Sequence, residues 1–234
     1  MTILTRLFLL GCCLLLVGLN SAEAQRYGSR KKKEPLFGAG VLLGPSFSQV
    51  DGDRFTGYSK VGIYGGAQAI VRFDKRNQLR IGLLYHQKGN RVESSDVPSY
   101  RDKDRSMELN YAEVPFVLNH KLTMNEDRGS ATVMELGVAY GRLLGINFTE
   151  LETRIEAPSY ASLEEEFTRN EVSVVMGLSY NINRQLGLGF RSTIAVKRYY
   201  VNPNFERTEA GPFGPEGFQF FRNYGFALFG TYTL

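Results

Sequence analysis

The sequence predicts an all-β protein, an eight-stranded antiparallel up-and-down transmembrane β-barrel, and three observations carry that reading. From Phe37 onward, stretches of ten to fifteen residues alternate apolar with small or polar side chains, as a strand with two different faces does. The pieces between these stretches are alternately long and short. Beyond residue 24 no apolar run approaches the roughly 20 residues that carry a helix across hydrocarbon, so any membrane span must be built of strands.

In chain order, residues 1–24 read as a cleaved secretory signal: Arg6, an apolar run from Leu7 to Leu19, then Ala22-Glu23-Ala24 before Gln25. A lipoprotein reading at Cys12 would leave most of that run on the mature chain, which disfavours it. Cleavage removes one Arg and one Glu, so the formal charge stays at +4. It also removes both cysteines, Cys12 and Cys13, which excludes disulfides, thiolate metal sites and a Cys nucleophile from the mature chain. Residues 25–35 form a basic arm, with five cations against one acid in "RYGSRKKKE". The barrel is expected over 36–234.

Its strands read as "FGAGVLLGPSF", "VGIYGGAQAIVRF", "QLRIGLLYHQK", "YAEVPFVLN", "TVMELGVAYG", "VSVVMGLSYNI", "LGLGFRSTIAVK" and the closing "YGFALFGTYTL". The connections fall near 51–60, 74–77, 89–108, 123–130, 147–170, 182–185 and 200–219. In an up-and-down barrel the odd-numbered ones share one end and the even-numbered ones the other. Long loops outside and short turns in the periplasm are the outer-membrane pattern. Both termini are then periplasmic.

Parity along the strands assigns the faces. Phe37, Phe73, Tyr180 and Tyr232 fall near one rim of the apolar face, and Phe47, Tyr85, Tyr140 and Tyr200 near the other, as two aromatic girdles. On the last strand Tyr224, Phe226, Leu228, Tyr232 and Leu234 face lipid. The inward face carries Arg72, Arg80, Lys88, Glu113, Glu135, Arg191 and Lys197, with Tyr64, Gln68 and His86. Eight strands enclose only enough room for side chains, so these charges form a packed, paired interior rather than a pore. Arg72, Arg80, Arg191 and Glu135 group at one height, and Lys88, Lys197 and Glu113 at another. A proton or ion path is the sharper alternative.

Chemistry has little support. His86 and His120 lie on adjacent strands with opposite parity, hence on different faces. Small outer-membrane lipid-modifying enzymes use a Ser/His or similar pair near the outer rim, and Ser94 and Ser95 are the conceivable partners of His86. "DGDRF" at 51–55 breaks calcium-loop spacing at Phe55 and reads better as a turn. "NFT" at 147–149 matches a glycosylation sequon without further support. No cofactor or metal is expected. Nucleic acid is excluded as a partner by the compartment; outer-membrane lipid and lipopolysaccharide are the expected surroundings. Other outer-membrane proteins are the expected partners, through the loops or barrel wall. The acidic loop carrying Phe148, Leu151, Tyr160, Leu163 and Phe167 is one such docking element, and the basic arm is another or a solvated tether.

"GPSFSQVDGDRFTGYSKVGIYGGAQA", through Ser48, Gln49, Asp51, Gly52, Asp53, Gly57, Tyr58, Lys60, Gly62 and Gly66, resembles the first hairpin of the PorT-like outer-membrane barrels common in Bacteroidota. "LNYAEVPFVLNHKL", with Tyr111, Glu113 and Pro115, is similar to the fourth strand of that family. The resemblance implies the barrel. For function it implies a non-enzymatic envelope scaffold or an accessory subunit of an export complex, since some relatives serve type IX secretion. A lipid-modifying enzyme and a soluble periplasmic ligand-binding barrel stand as rivals.

Overall fold

The computed structural model describes residues 35–51, 58–92, 105–125, 128–150, 167–201 and 220–234. The expected signal and arm lie outside them. The strands are β1 (Phe37–Asp51), β2 (Lys60–Arg72), β3 (Asn77–Val92), β4 (Arg105–Asn125), β5 (Ser130–Glu150), β6 (Asn170–Asn181), β7 (Leu186–Ala195), β8 (Tyr200–Val201) and β9 (Phe220–Thr233). Each of the eight long strands pairs antiparallel with the next, and β1 pairs with β9 from Gly40 opposite Thr233 to Asp51 opposite Arg222, closing the ring. Closure leaves no long unpaired edge, which an isolated sheet in lipid could not tolerate. The two-residue β8 pairs with the start of β9 and continues β7 toward the loops.

The face assignment inverts that of a water-soluble barrel. Leu43, Leu83 and Leu188 are 68%, 66% and 59% exposed on the outside, while Lys88, Glu113, Glu135 and Arg191 are each 3% exposed or less on the inside. Only a surrounding solvent of low polarity makes that distribution favourable.

At the short-turn end, three connections are tied by the same device, a side-chain oxygen accepting the backbone N–H groups that a turn leaves unpaired. Asp74 Oδ1 accepts from the N–H of Arg76 at 2.6 Å and of Asn77 at 2.8 Å. Asn183 Oδ1 accepts from Gln185 and Leu186, both at 2.8 Å, and Asn125 Oδ1 accepts from Arg128 at 3.1 Å. Donation from the Asn77 side chain, then from the two backbone N–H groups, holds the Asp74 carboxyl below its ordinary value of 3.8. A depressed carboxyl stabilises the fold above its unfolded value and loses that contribution as pH falls through the lower one. Wild type should therefore unfold later than Asp74→Asn above pH 3.8 and lose the advantage in more acid solution; paired thermal scans against pH check this.

At the loop end the strands run longer than the sequence reading allowed: β4 and β5 each reach 21 residues. Their inward side chains there turn apolar. Val50, Met107, Leu109, Tyr111, Leu143, Phe167, Tyr199, Tyr200 and Phe221 bury together, with Ile146 and Phe148 against them. The Phe167 ring lies 5.3 Å from Tyr199 and 5.8 Å from Tyr200, both edge-on. Phe148 and Phe167, expected to dock a partner, instead close the barrel mouth; Leu151, Tyr160 and Leu163 lie outside the described residues. The cause is a bulge in β5. Tyr111 opposes Leu143 but Asn110 opposes Gly145, so Leu144 is looped out and Ile146 and Phe148 switch inward.

Glycine is required at Gly89, where φ is +136° and an added Cβ would fall onto the Met107 carbonyl oxygen. The kink lets the Ser48 hydroxyl donate to the Gly89 carbonyl at 3.0 Å.

Candidate functional site

The interior between the turns and the aromatic mouth is the candidate site, because it collects the buried charge. Inward parity on β2, β3, β4, β5, β6, β7 and β9 brings Tyr64, Arg80, His86, Lys88, Glu113, Asn119, Glu135, Glu171, Ser173, Ser179, Arg191 and Asn223 to one space. Three cations and three carboxylates are buried there: Arg80, Lys88 and Arg191 against Glu113, Glu135 and Glu171. Equal numbers keep the enclosed column neutral, which a low-dielectric interior demands.

Two linked clusters result. Nearer the turns, Glu135 Oε2 accepts from Arg191 Nε at 3.0 Å and from Nη2 at 2.7 Å. Its Oε1 accepts from Asn119 and Ser179, both at 3.0 Å. Arg191 Nη1 donates to the Tyr64 hydroxyl at 2.7 Å, and the guanidinium lies 4.9 Å from the Phe229 ring centre. Arg80 adds its charge beside this pair. With the Gln78 amide turned oxygen-inward, that oxygen accepts from Arg80 Nε at 3.1 Å and Nη2 at 3.0 Å.

Nearer the mouth, Lys88 Nζ bridges Glu171 Oε1 at 2.6 Å and Glu113 Oε2 at 3.1 Å. His86 Nδ1 sits 3.0 Å from the same Glu113 oxygen. Ser173 donates to Glu171 Oε1 at 3.0 Å and Asn223 to Oε2 at 2.7 Å. Tyr64 and His86 join the clusters, with ring centres 4.6 Å apart.

Two expected interior residues are not buried in it. Arg72 is half-exposed at the turn-end rim, where Nη1 donates to the Pro35 carbonyl at 3.0 Å. Lys197 is exposed rather than packed in the interior, and Tyr200, expected in the outer girdle, is 3% exposed inside the mouth. One register break explains both. Ile194 opposes Tyr224 and Tyr200 opposes Phe221, so six residues advance on one side against three on the other. The surplus leaves Lys197 and Arg198 exposed and turns Tyr199 and Tyr200 in.

The other seven girdle residues sit on the outer face. Phe37, Phe73, Tyr180 and Tyr232 are exposed toward the turn end, and Tyr85 and Tyr140 toward the loop end. Tyr85 donates to Asn110 at 2.6 Å and Tyr140 to Asn170 at 3.0 Å. Phe47 is half-buried because it stacks on Phe226 at 5.0 Å. Gln68 is buried inside.

Residues of the hairpin motif serve the architecture. Ser48 holds the Gly89 kink, Gln49 is buried, and Asp51 accepts from Arg222 at 2.9 Å. Lys60 donates to Glu108 at 2.7 Å, and Tyr58 packs edge-on against Phe226 at 5.2 Å. Gly52, Asp53 and Gly57 lie outside the described residues. Gly62 and Gly66 on β2 sit where a Cβ would strike the Gln87 and Leu83 carbonyls of β3. Of the fourth-strand motif, Tyr111 belongs to the mouth, Glu113 to the lysine cluster, and Pro115 packs where a Cβ on Gly82 would be 3.0 Å from its ring.

Glu171 was missed because strand six was started at Val172, two residues late; its parity with Ser173 and Val175 would have found it. Asn119, Ser179 and Asn223 carry no charge, and only strand parity marks them. His120 is apart from the interior, with Nδ1 2.7 Å from Asn77 Oδ1. His86 faces the sealed interior, and Ser94 and Ser95 lie outside the described residues. Among the described residues no cluster of three or more His, Cys, Asp or Glu is arranged to hold a metal.

Among solved structures the chain is similar to Ail, the attachment invasion locus protein of Yersinia pestis, at 9% identity and TM-score 0.43, covering 84% of this chain and 98% of that one. Neisserial surface protein A matches at 9% identity and TM-score 0.42, covering 84% and 97%. OprG from Pseudomonas aeruginosa matches at 10% identity and TM-score 0.38, covering 85% and 94%. No curated protein matches. The model of the outer membrane protein beta-barrel domain matches residues 24–198. A closed eight-strand ring, apolar outside and charge-paired within, thus meets a family match over most of its length: the chain belongs to the outer membrane protein beta-barrel domain family.

Proposed function

We propose that this outer-membrane barrel is non-enzymatic and acts as an envelope scaffold or as an accessory subunit of a larger export or assembly complex, with both termini in the periplasm. The observation that carries the reading is the interior: Arg191 is paired with Glu135, Lys88 bridges Glu113 and Glu171, and Arg80 is held by Gln78, all beneath an aromatic mouth. Such a column offers neither a water-filled path nor room for a substrate, so the surfaces left for work are the loops, the outer wall and the basic arm. The PorT-like hairpin and fourth-strand motifs make protein secretion, including the type IX route, the first setting to test. Extraction in mild detergent followed by affinity capture should recover a stoichiometric outer-membrane or periplasmic partner. A change in lipid A structure on deletion of the gene, with no partner recovered, would favour the lipid-modifying enzyme instead.

A further inference from the structure

We infer that the turn-end half of the barrel interior binds one small monovalent anion, a halide such as chloride, on the guanidinium of Arg80. The buried column is neutral as a whole but not in its parts. Around Glu135, two guanidiniums, Arg80 and Arg191, face one carboxylate; around Lys88, one ammonium faces Glu113 and Glu171. The first cluster therefore carries one surplus positive charge. Glu135 cannot absorb it. Its oxygens already take Nε and Nη2 of Arg191 together with Asn119 and Ser179, and a carboxylate offers about four lone-pair sites. The surplus acids lie across the Tyr64 and His86 rings and make their ion pairs with Lys88 and His86.

Arg80 makes no ion pair with any described residue. Its hydrogen-bond partner is the neutral Gln78 oxygen, which takes Nε and Nη2 and leaves the Nη1 hydrogens to donate. Arg191 and Arg72 add like charge around it. A buried charge without a counter-charge is among the costliest groups a fold can hold. A second donor points to the same ligand chemistry. Gln68 is opposite Gly82 and Arg80 opposite Ile70 on β2 and β3, so the two side chains are diagonal neighbours on the inner face, about 7 Å apart at Cβ. Gln68 Nε2 is buried and meets no acceptor. Arg80, Gln68 and Gln78 each keep 5% exposure, while Ile70 and Val117, which oppose Arg80 from either side, keep 1%. The accessible surface inside this part of the wall therefore lies on polar groups.

An anion reaches these donors from the turn end. β3 begins at Asn77, which puts Arg80 about 10 Å from the turn. The inward side chains between it and the rim are Gln78 and the half-exposed Arg72, and β1 contributes only Gly38 and Gly40 opposite Ile70 and Gln68. Eight strands leave no room for an organic anion, and one surplus charge calls for one negative ion.

The test is unfolding of residues 25–234 in a nonionic detergent over a range of chloride concentrations, with ionic strength held constant by gluconate, whose size keeps it outside. The wild-type unfolding constant should fall about tenfold for each tenfold rise in chloride above the dissociation constant, the signature of one ion released on unfolding. Arg80→Met should abolish the dependence. In chloride-free gluconate it should unfold no earlier than wild type, because it removes a charge that no described residue pairs. Gln68→Leu, which keeps the guanidinium and deletes a donor, should move the dependence to about tenfold higher chloride. Lys75→Gln with Arg76→Gln, on the turn rim, should leave it unchanged. Crystals grown in bromide should show the ion within hydrogen-bond distance of Arg80. A wild-type midpoint indifferent to chloride, the same dependence in Arg80→Met, or bromide at the rim alone overturns the proposal. So does an Arg80→Met barrel that fails to fold in gluconate where the wild type folds.

Discussion

Glu135→Ala should lower the unfolding free energy by about 3–5 kcal/mol, the usual cost of breaking a buried ion pair from one side. The carboxylate takes two donors from Arg191 and one each from Asn119 and Ser179. Its removal strands a guanidinium that is 1% exposed inside a wall that no water enters from the lipid side. Arg80 stands close by with like charge, so the remaining pair repel as well. Urea titration of the detergent-refolded barrel measures the loss. The companion Glu135→Leu/Arg191→Met, which removes both charges and fills the space, should recover most of it, because the desolvation cost of the pair vanishes with the pair. An unchanged midpoint for Glu135→Ala would mean that the network does not hold the barrel.

Lys88→Met should be comparably damaging for the opposite reason. One ammonium neutralises both Glu171 at 2.6 Å and Glu113 at 3.1 Å. Without it, two buried carboxylates share a pocket with His86, Ser173, Asn223 and the Tyr111 hydroxyl as neighbours. Like charges so placed cannot both ionise at low cost. A loss of about 3–5 kcal/mol at neutral pH is expected, partly relieved by adding Glu171→Gln, which keeps an acceptor for Ser173 and removes one charge. A thermodynamic cycle over Lys88 and Glu171 separates their coupling from the loss of packing.

The strands were legible because period-two alternation is a direct record of which side chain meets lipid. It assigned Phe37 to the outside and Arg191, Glu135, Glu113 and Lys88 to the inside. Turn chemistry was equally plain, since Asp74, Asn125 and Asn183 announce the three short connections. What alternation cannot carry is a break in itself. One looped-out residue at Leu144 and three beyond Ala195 reverse the parity of everything toward the loops. Lys197 and Tyr200 were therefore read onto the wrong face, and Phe148, on the continuation of β5 past the bulge, was read into an external loop. Strand ends are the second blind spot, because strands that project past the apolar band keep pairing although their outward residues turn polar, as Ser106, Glu108 and Asn110 do on β4. Arg72 marks a third: a residue with inward parity at the rim stays half-exposed and spends its side chain on a backbone carbonyl.

The central claim is that the apolar wall needs lipid and that the charged interior is self-sufficient. The direct measurement is folding of residues 25–234 from urea, with and without amphiphile, read by circular dichroism and by the heat-modifiable shift on electrophoresis. Folding to a compact β-rich monomer only in detergent micelles or bilayers is the outcome the account requires. A stable, monomeric, folded chain in plain buffer would contradict it.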